Sequence, residues 1–207
     1  IKKKNAKINC VWFMRQAGRY LPEFREIRSK NPDFIKLCLN EKLSSEITLQ
    51  PLKRFNLDAA IIFSDILMLP YGLGQSVDFE KNFGPKLGKL EIHDILKVTE
   101  DEFTNRLSPV YKLIKIVGAN SLIKNKDLFG FVGAPWTLLV YMINQISPKK
   151  ELKKNFFNDE VLIQDLINII VKFLKIHIKN QVSSGATIIQ IFDSWAGLVD
   201  EQKLDYL

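Results

Sequence analysis

The sequence predicts an α/β fold in which helices cover a sheet of parallel strands. Short runs of apolar and β-branched residues alternate along the chain with longer stretches of helical spacing. The runs are apolar on both faces, as expected for parallel strands packed between helices. Strands separated by helices imply right-handed β-α-β crossovers. The predicted strands cover residues 9–14, 57–63, 128–132 and 187–192.

Helices are predicted between these strands, and most of them have a recognisable start. Asp33 precedes an apolar pentapeptide, and Thr99 with Glu102 has the spacing of a capping box. Residues 158–160 place negative charge at the start of the longest helical pattern, which Gly185 ends. The predicted helices cover residues 34–38, 44–55, 100–117 and 161–182.

Two arrangements fit this alternation, a doubly wound sheet and a (β/α)8 barrel. A doubly wound dinucleotide-binding sheet needs a Gly-rich phosphate turn after its first strand, but Arg15-Gln16-Ala17-Gly18-Arg19 stands there. In a barrel, functional residues come from the C-terminal ends of several strands. Polar residues follow all four predicted strands, which favours the barrel. No repeat or linker divides the chain, so we predict one domain over residues 1–207.

Composition and charge exclude several classes of protein. With 46% hydrophobic and 26% charged residues, and no apolar stretch that is long enough to span a membrane, we expect a soluble, folded chain. Residues 1–60 carry 13 Lys and Arg against 6 Asp and Glu, whereas residues 61–207 carry 17 of each sign. The front of the chain therefore supplies the net charge of +7. A nucleic-acid-binding module, in which Lys2 to Lys7 contact phosphates, is the alternative that this surplus leaves open.

The cysteines and histidines do not form a recognisable functional pattern. Cys10, Cys38, His93 and His177 are the only residues of these two types. Their spacing matches neither a metal cluster nor a nucleophilic dyad. We therefore expect structural roles for all four, no metal, and a reducing compartment such as the cytoplasm.

The residues that follow the predicted strands are the candidate functional residues. Arg15 and Arg19 can each fork onto a carboxylate, since the guanidinium group is planar and always charged, although solvated surface arginines have the same spacing. Asp65 follows a buried run, at the edge of a dry interior or as a helix N-cap. Tyr141 and Ser194 follow the third and fourth strands, where a core tyrosine and a turn serine are the ordinary alternatives. Together these side chains predict a polar site for a multiply anionic ligand.

Five motifs resemble the uroporphyrinogen decarboxylase family in order and spacing. They are MRQAGRYLPE at 14–23, TLQP at 48–51, FSDIL at 63–67, GAPWTL at 133–138 followed by YM at 141–142, and IFDSWAG at 191–197. The resemblance runs along the whole chain, and its first motif is the most specific.

The resemblance implies a (β/α)8 TIM barrel of which about the first four β/α units lie in this chain. It implies a cytoplasmic homodimer, with no role for nucleic acid or membrane. The implied reaction removes the four acetate carboxylates of uroporphyrinogen III to give coproporphyrinogen III in haem biosynthesis. This carboxy-lyase reaction uses no cofactor.

The resemblance also assigns roles to the candidate residues. Arg15 and Arg19 would bind substrate carboxylates, and Arg15 would also assist proton delivery. Asp65 would accept hydrogen bonds from the pyrrole N–H groups and act as the central catalytic carboxylate. The remaining substrate contacts would come from Gln16, Ala17 and Gly18 through their backbone, and from Tyr141 and Ser194 at the rim.

The chain departs from the family pattern in its length. A whole barrel of this kind needs roughly 250 residues, and the Gly-His-Gly segment of the family is absent here. We therefore expect a domain truncated at its C-terminus and a few residues short at its N-terminus, inactive or poorly folded by itself. Corrinoid-dependent methyltransferases, which are related barrels that use zinc, are the alternative among enzymes.

Overall fold

A computed structural model describes residues 12–80, 83–148 and 159–199. The helices are α1 (Pro22–Lys30), α2 (Phe34–Cys38), α3 (Glu41–Arg54), α4 (Met68–Gly72), α5 (Ile92–Ile95), α6 (Glu100–Gly118), α7 (Pro135–Asn144) and α8 (Glu160–Ser183). The strands are β1 (Ala59–Ile61), β2 (Val77–Glu80), β3 (Gly84–Leu87), β4 (Asp127–Gly133) and β5 (Ile188–Phe192). In this part of the chain, no helix combines the length and the apolar character needed to cross a bilayer.

Chain contacts divide the protein into two compact units. Unit 1 consists of the described residues of Ile1–Asp65, Leu107–Phe131 and Ile178–Gln190. Unit 2 consists of those of Ile66–Arg106, Val132–His177 and Ile191–Leu207. Four of the five boundaries fall inside α6, β4, α8 and β5, and neither unit is a continuous stretch of sequence.

A three-stranded sheet with the order β1-β4-β5 confirms three of the four predicted strands. β1 pairs with β4 in parallel, with Ala59 opposite Asp127 and Ile61 opposite Phe129. Between β4 and β5, the amide of Thr187 donates to the carbonyl of Leu128 and the amide of Ala134 donates to that of Phe192. From the first of these bonds to the second, the residue numbers increase in both strands, so this pairing is also parallel. The predicted α/β class with a parallel sheet is therefore confirmed.

The first predicted strand is not found in the residues that the structure describes. Residues 9–11 lie outside them, and Trp12 to Met14 do not form a strand. The ring of Trp12 instead stacks on that of Phe129, with centroids 4.4 Å apart and planes 12° from parallel. The expectation of four β/α units remains a prediction.

The predicted starts of α2 and α6 are confirmed by their hydrogen bonds, whereas α3 starts at Glu41, three residues before the predicted position, with Asn40 as its N-cap. The carboxylate of Asp33 accepts from the amide of Lys36 at 3.0 Å and caps α2. At the start of α6, the Glu102 carboxylate accepts from the Thr99 amide at 2.9 Å, and the Thr99 hydroxyl accepts from the Glu102 amide at 3.2 Å. This reciprocal pair is the predicted capping box. Gly185, with φ at +116°, stands just past the end of α8 as predicted.

Several features of the fold were not predicted, including the short helices α4 and α5. α1 starts inside the first motif, with Pro22 in its first turn. In unit 2, β2 and β3 form an antiparallel hairpin, with Val77 opposite Leu87 and Glu80 opposite Gly84. Each of these strands has only four residues, which is too short for periodicity to separate a strand from a loop.

Each unit has its own apolar packing. In unit 1, Leu21 and Phe24 of the first segment pack with Leu37 and Ile47 from α2 and α3. In unit 2, the ring of Phe103 on α6 lies 4.8 Å from the ring of Phe173 on α8. The first cluster directly follows the segment with Arg15 and Arg19, and the second contact joins two helices that are distant in sequence.

Candidate active site

The Arg15–Arg19 segment forms a turn that leads into α1. The amide of Leu21 donates to the carbonyl of Gly18 at 3.0 Å, and the Tyr20 hydroxyl donates to the carbonyl of Gln16. Arg15 and Arg19 are exposed, whereas only 3% of Gln16 is exposed. The segment therefore presents two guanidinium groups to solvent on either side of a buried anchor.

The side chain of Gln16 bonds to one edge of β1. The carbonyl of Asp58 and the amide of Ile62 face β4, where they bond to Asp127 and Phe129. In a strand, alternate residues point their backbone groups to opposite edges. On the other edge, the Gln16 amide nitrogen donates to the carbonyl of Ala59 at 2.9 Å, and its oxygen accepts from the amide of Ile61 at 3.4 Å.

Gln16 thus satisfies two backbone groups that a neighbouring strand would otherwise bond. It also ties the Arg15–Arg19 turn to β1, which ends at Ile61, four residues before Asp65. The family resemblance implies that Gln16 binds substrate through its backbone. In the structure, the Gln16 side chain has a separate role, because it is hydrogen-bonded to the protein backbone.

Arg15 and Arg19 differ from the other arginines in having no partner among the residues that the structure describes. Among the described residues, neither guanidinium group forms a hydrogen bond or an ion pair. Each of the other four arginines of the chain does, whether to a backbone carbonyl or to the carboxylate of Glu23; they are Arg25, Arg28, Arg54 and Arg106. The two predicted anion-binding side chains are therefore those left available for a ligand.

Ala17 and Gly18 complete this segment without an evident side-chain role toward a ligand. Ala17 is half-buried and packs against the apolar cluster of Leu21 and Phe24. A Cβ on Gly18 would meet the ring of Tyr20 at 3.6 Å, which is an ordinary contact. Since Gly18 has no side chain and that of Ala17 packs against this cluster, a contact with a ligand would have to come from the backbone.

Asp65 is half-buried and lies beyond the C-terminal end of β1. It does not cap the next helix, because the N-cap of α4 is Leu67 and has no side-chain cap bond. Burial raises the pKa of the Cys38 thiol well above its ordinary value, and the negative charge of Asp65 raises it further. The carboxylate therefore lies in the electrostatic neighbourhood of a buried, neutral thiol.

Unit 2 holds the other two candidates, Tyr141 and Ser194. Tyr141 is half-buried on α7, and its ring contacts that of Trp195 edge-on at 5.9 Å. Ser194 is exposed in the turn after β5. Both residues thus belong to one local arrangement, in which Trp195 stands next to Ser194 in sequence and against Tyr141 in space.

Thr137 is a residue of this region that the sequence analysis missed. It lies on α7, is fully buried, and hydrogen-bonds to Asp193 and to Trp195, the two neighbours of Ser194. The signal was present in the sequence, since Thr137 and Asn144 are the polar residues of an otherwise apolar and aromatic helix. A buried hydroxyl requires a partner, but the sequence does not identify it.

Of the cysteines and histidines that the structure describes, Cys38 and His177 lie in the interior and His93 lies at the surface. Cys38 is fully buried and His177 is 3% exposed, while Cys10 lies outside the described residues. Burial lowers the pKa of His177 to about 4, so the ring is neutral at physiological pH. His93 is exposed on the short α5. In the described ranges, no group of three or more His, Cys, Asp and Glu is arranged to hold a metal ion.

The chain matches known proteins along its whole length. The family model described as uroporphyrinogen decarboxylase (URO-D) matches residues 1–206. A uroporphyrinogen decarboxylase of Rickettsia felis is 41% identical over 203 residues, which cover 97% of this chain and 58% of that protein. One of Rickettsia bellii is 42% identical, over 93% of this chain and 57% of that protein. The chain therefore spans somewhat more than half the length of these relatives.

A solved structure supports the fold. A methyltransferase from Methanosarcina mazei superimposes with a TM-score of 0.61 over 81% of this chain and 50% of its own. The two sequences are 17% identical, so the likeness concerns the fold alone. The family match therefore favours the decarboxylase over the methyltransferase alternative.

Proposed function

Because this chain belongs to the uroporphyrinogen decarboxylase family, we propose that it forms part of an enzyme that converts uroporphyrinogen III to coproporphyrinogen III. The reaction removes the four acetate carboxylates of the substrate and belongs to haem biosynthesis. The chain spans 58% of the length of a curated relative. The activity is therefore proposed for the complete protein, to which this chain contributes one wall of the site.

The availability of Arg15 and Arg19 carries this proposal. Both are exposed and without a protein partner among the described residues, and the buried Gln16 amide fixes the turn between them. A porphyrinogen with eight carboxylates is the kind of ligand that such a pair suits, because guanidinium binds carboxylate bidentately. We assign Arg15 and Arg19 to substrate carboxylates, with the backbone of Gln16, Ala17 and Gly18 beside them.

Asp65 has the central chemical role in the proposal. Loss of CO2 from an acetate leaves an electron pair that needs a sink, and protonation of the pyrrole ring supplies it. The C–C bond to the carboxylate breaks, and its electrons neutralise the protonated ring. Protonation of the exocyclic carbon then gives a methyl group, and loss of the proton first added to the ring restores the pyrrole. Each acetate takes up one proton net and releases one CO2. A fixed carboxylate beside the ring stabilises the cation as it develops.

The remaining substrate contacts are assigned to Tyr141 and Ser194. Their hydroxyl groups can bond to polar groups at the rim of the macrocycle, while Arg15 assists proton delivery by holding a substrate carboxylate. The guanidinium itself is a poor acid, since its pKa lies above about 12. We propose no cofactor or metal for this chemistry.

The finer features of the protein are proposed on the same basis. We propose one domain with the (β/α)8 barrel architecture, about four β/α units of which lie in this chain, in a cytoplasmic homodimer. Neither nucleic acid nor membrane has a part in it. The methyltransferase likeness supports the architecture, and the family match supports the reaction.

The direct test is turnover by the full-length product of the gene. Purified protein would be incubated anaerobically with uroporphyrinogen III, and the products oxidised and separated by chromatography. Coproporphyrin with intermediates of seven, six and five carboxylates is the expected result. An unchanged octacarboxylate, with a known decarboxylase active in the same buffer, would refute the proposal.

A further inference from the structure

The turn after β5 is held by one buried hydroxyl group. The Thr137 hydroxyl donates to the Asp193 carboxylate at 2.6 Å and accepts from the amide of Trp195 at 3.0 Å. Thr137 is fully buried, whereas Ser194, which lies between its two partners, is exposed. A single side chain therefore holds the residues on both sides of Ser194.

The two partners of Thr137 determine which group donates in each of these hydrogen bonds. An ionised carboxylate only accepts and a backbone N–H only donates, so the one hydroxyl proton must point to Asp193. The bond to the carboxylate is of the stronger, charge-assisted kind. A side chain without a hydroxyl group can therefore replace neither contact.

Further contacts connect the same turn to the start of α7. The indole nitrogen of Trp136 donates to the carbonyl of Trp195 at 2.9 Å, and the amide of Ala134 donates to that of Phe192 at 2.8 Å. Trp195 in turn contacts the ring of Tyr141. The hydroxyl of Thr137 thus lies at the centre of a set of contacts that includes Tyr141 and both sequence neighbours of Ser194.

We propose that Thr137 is a positioning residue for substrate binding, which sets the location of the Ser194 hydroxyl and of the Trp195 ring against Tyr141. The inference rests on the proposed function, in which Ser194 and Tyr141 contact the porphyrinogen. Thr137 is buried and acts through the turn, so it does not touch the substrate. Displacing a positioned group by about 1 Å can cost on the order of 100-fold in rate.

The experiment compares two substitutions in the full-length product of the gene. Thr137→Val keeps the shape and removes the hydroxyl group, whereas Thr137→Ser keeps the hydroxyl group and removes a methyl group. We expect Thr137→Val to lower kcat/KM by about 10- to 100-fold and Thr137→Ser to stay within about threefold of wild type. Hydrogen exchange at the Trp195 amide should be faster in Thr137→Val and close to wild type in Thr137→Ser.

The outcomes separate this inference from the proposed function. Equal kcat/KM in the two variants, or an unchanged Trp195 amide in Thr137→Val, would overturn the positioning role. If wild-type protein does not turn over uroporphyrinogen, the proposed function fails, and hydrogen exchange still tests whether the hydroxyl holds the turn. If Thr137→Val does not fold, Asp193→Ala is the second test, because it removes the exposed carboxylate that accepts from the Thr137 hydroxyl. Wild-type kinetics in Asp193→Ala would contradict the inference.

Discussion

The two segments that carry the candidate residues are anchored in different ways. In unit 1, the Arg15–Arg19 turn contains its own anchor, because Gln16 reaches back to the edge of β1. In unit 2, the turn around Ser194 is held by Thr137, which belongs to a different element and lies more than fifty residues earlier. The first anchor is part of the segment that it holds, whereas the second lies on another element, but both bond to residues more than forty positions away.

The two anchoring side chains also differ in the candidate residues that they leave exposed. Gln16 uses its amide on backbone groups, so the flanking arginines remain without a partner among the described residues. Thr137 uses its hydroxyl on the two neighbours of an exposed serine. In both cases, a buried polar side chain holds the segment in place, while the candidate side chains of that segment are exposed.

Asp65→Asn should have the largest effect on activity. Loss of a charge that stabilises a developing cation in a preorganised site typically costs about 100- to 1,000-fold in kcat. The fold should persist, since Asn has nearly the same shape, and circular dichroism serves as the check. Near wild-type turnover in a folded variant would remove Asp65 from the centre of the mechanism.

Gln16→Leu should have the largest effect on stability. The change leaves the carbonyl of Ala59 and the amide of Ile61 without their partner, and a buried unpaired polar group costs about 1 to 3 kcal/mol. We expect a loss of about 3 kcal/mol in the free energy of unfolding, measured in urea. Gln164→Leu, at an exposed position on α8, is the matched control and should change stability little.

Replacing the two available arginines should weaken substrate binding without loss of stability. Arg15→Ala and Arg19→Ala each remove a charge-assisted contact, for which we expect about a 10- to 100-fold rise in KM. Lys53→Ala removes the same charge from an exposed position on α3 and controls for a general electrostatic effect. A comparable rise in KM for Lys53→Ala would mean that the arginines act only through net charge.

Lowering the pH should reduce the free energy of unfolding through protonation of His177, which lies outside both anchored segments. Its pKa is about 4 in the folded protein and 6.5 when exposed, so the unfolded chain binds the proton more tightly and stability falls as the pH drops below about 6.5. We expect a loss of about 2 kcal/mol from this group between pH 7 and pH 5. His177→Leu should flatten that slope in urea unfolding, and an unchanged slope would assign the acid sensitivity to other groups.

Much of the fold could be predicted because its signals are local. The strands β1, β4 and β5 are apolar runs, and the starts of α2 and α6 depend on side chains within three residues of the bonds that they form. The hairpin of β2 and β3 was missed, since four residues contain too few alternations to be recognised. The predicted strand over residues 9–14 is wrong for its described part, Trp12 to Met14.

By itself, the sequence determined the identity of the candidate residues and their family, because motifs record residue types and spacing. It also determined where α2 and α6 begin, since capping is a contact between near neighbours. Only the tertiary structure decided that Gln16 points to β1 and that Thr137 bonds on both sides of Ser194. Those bonds join residues 43 to 58 positions apart. Such partners are chosen by how the elements pack, which no local pattern records.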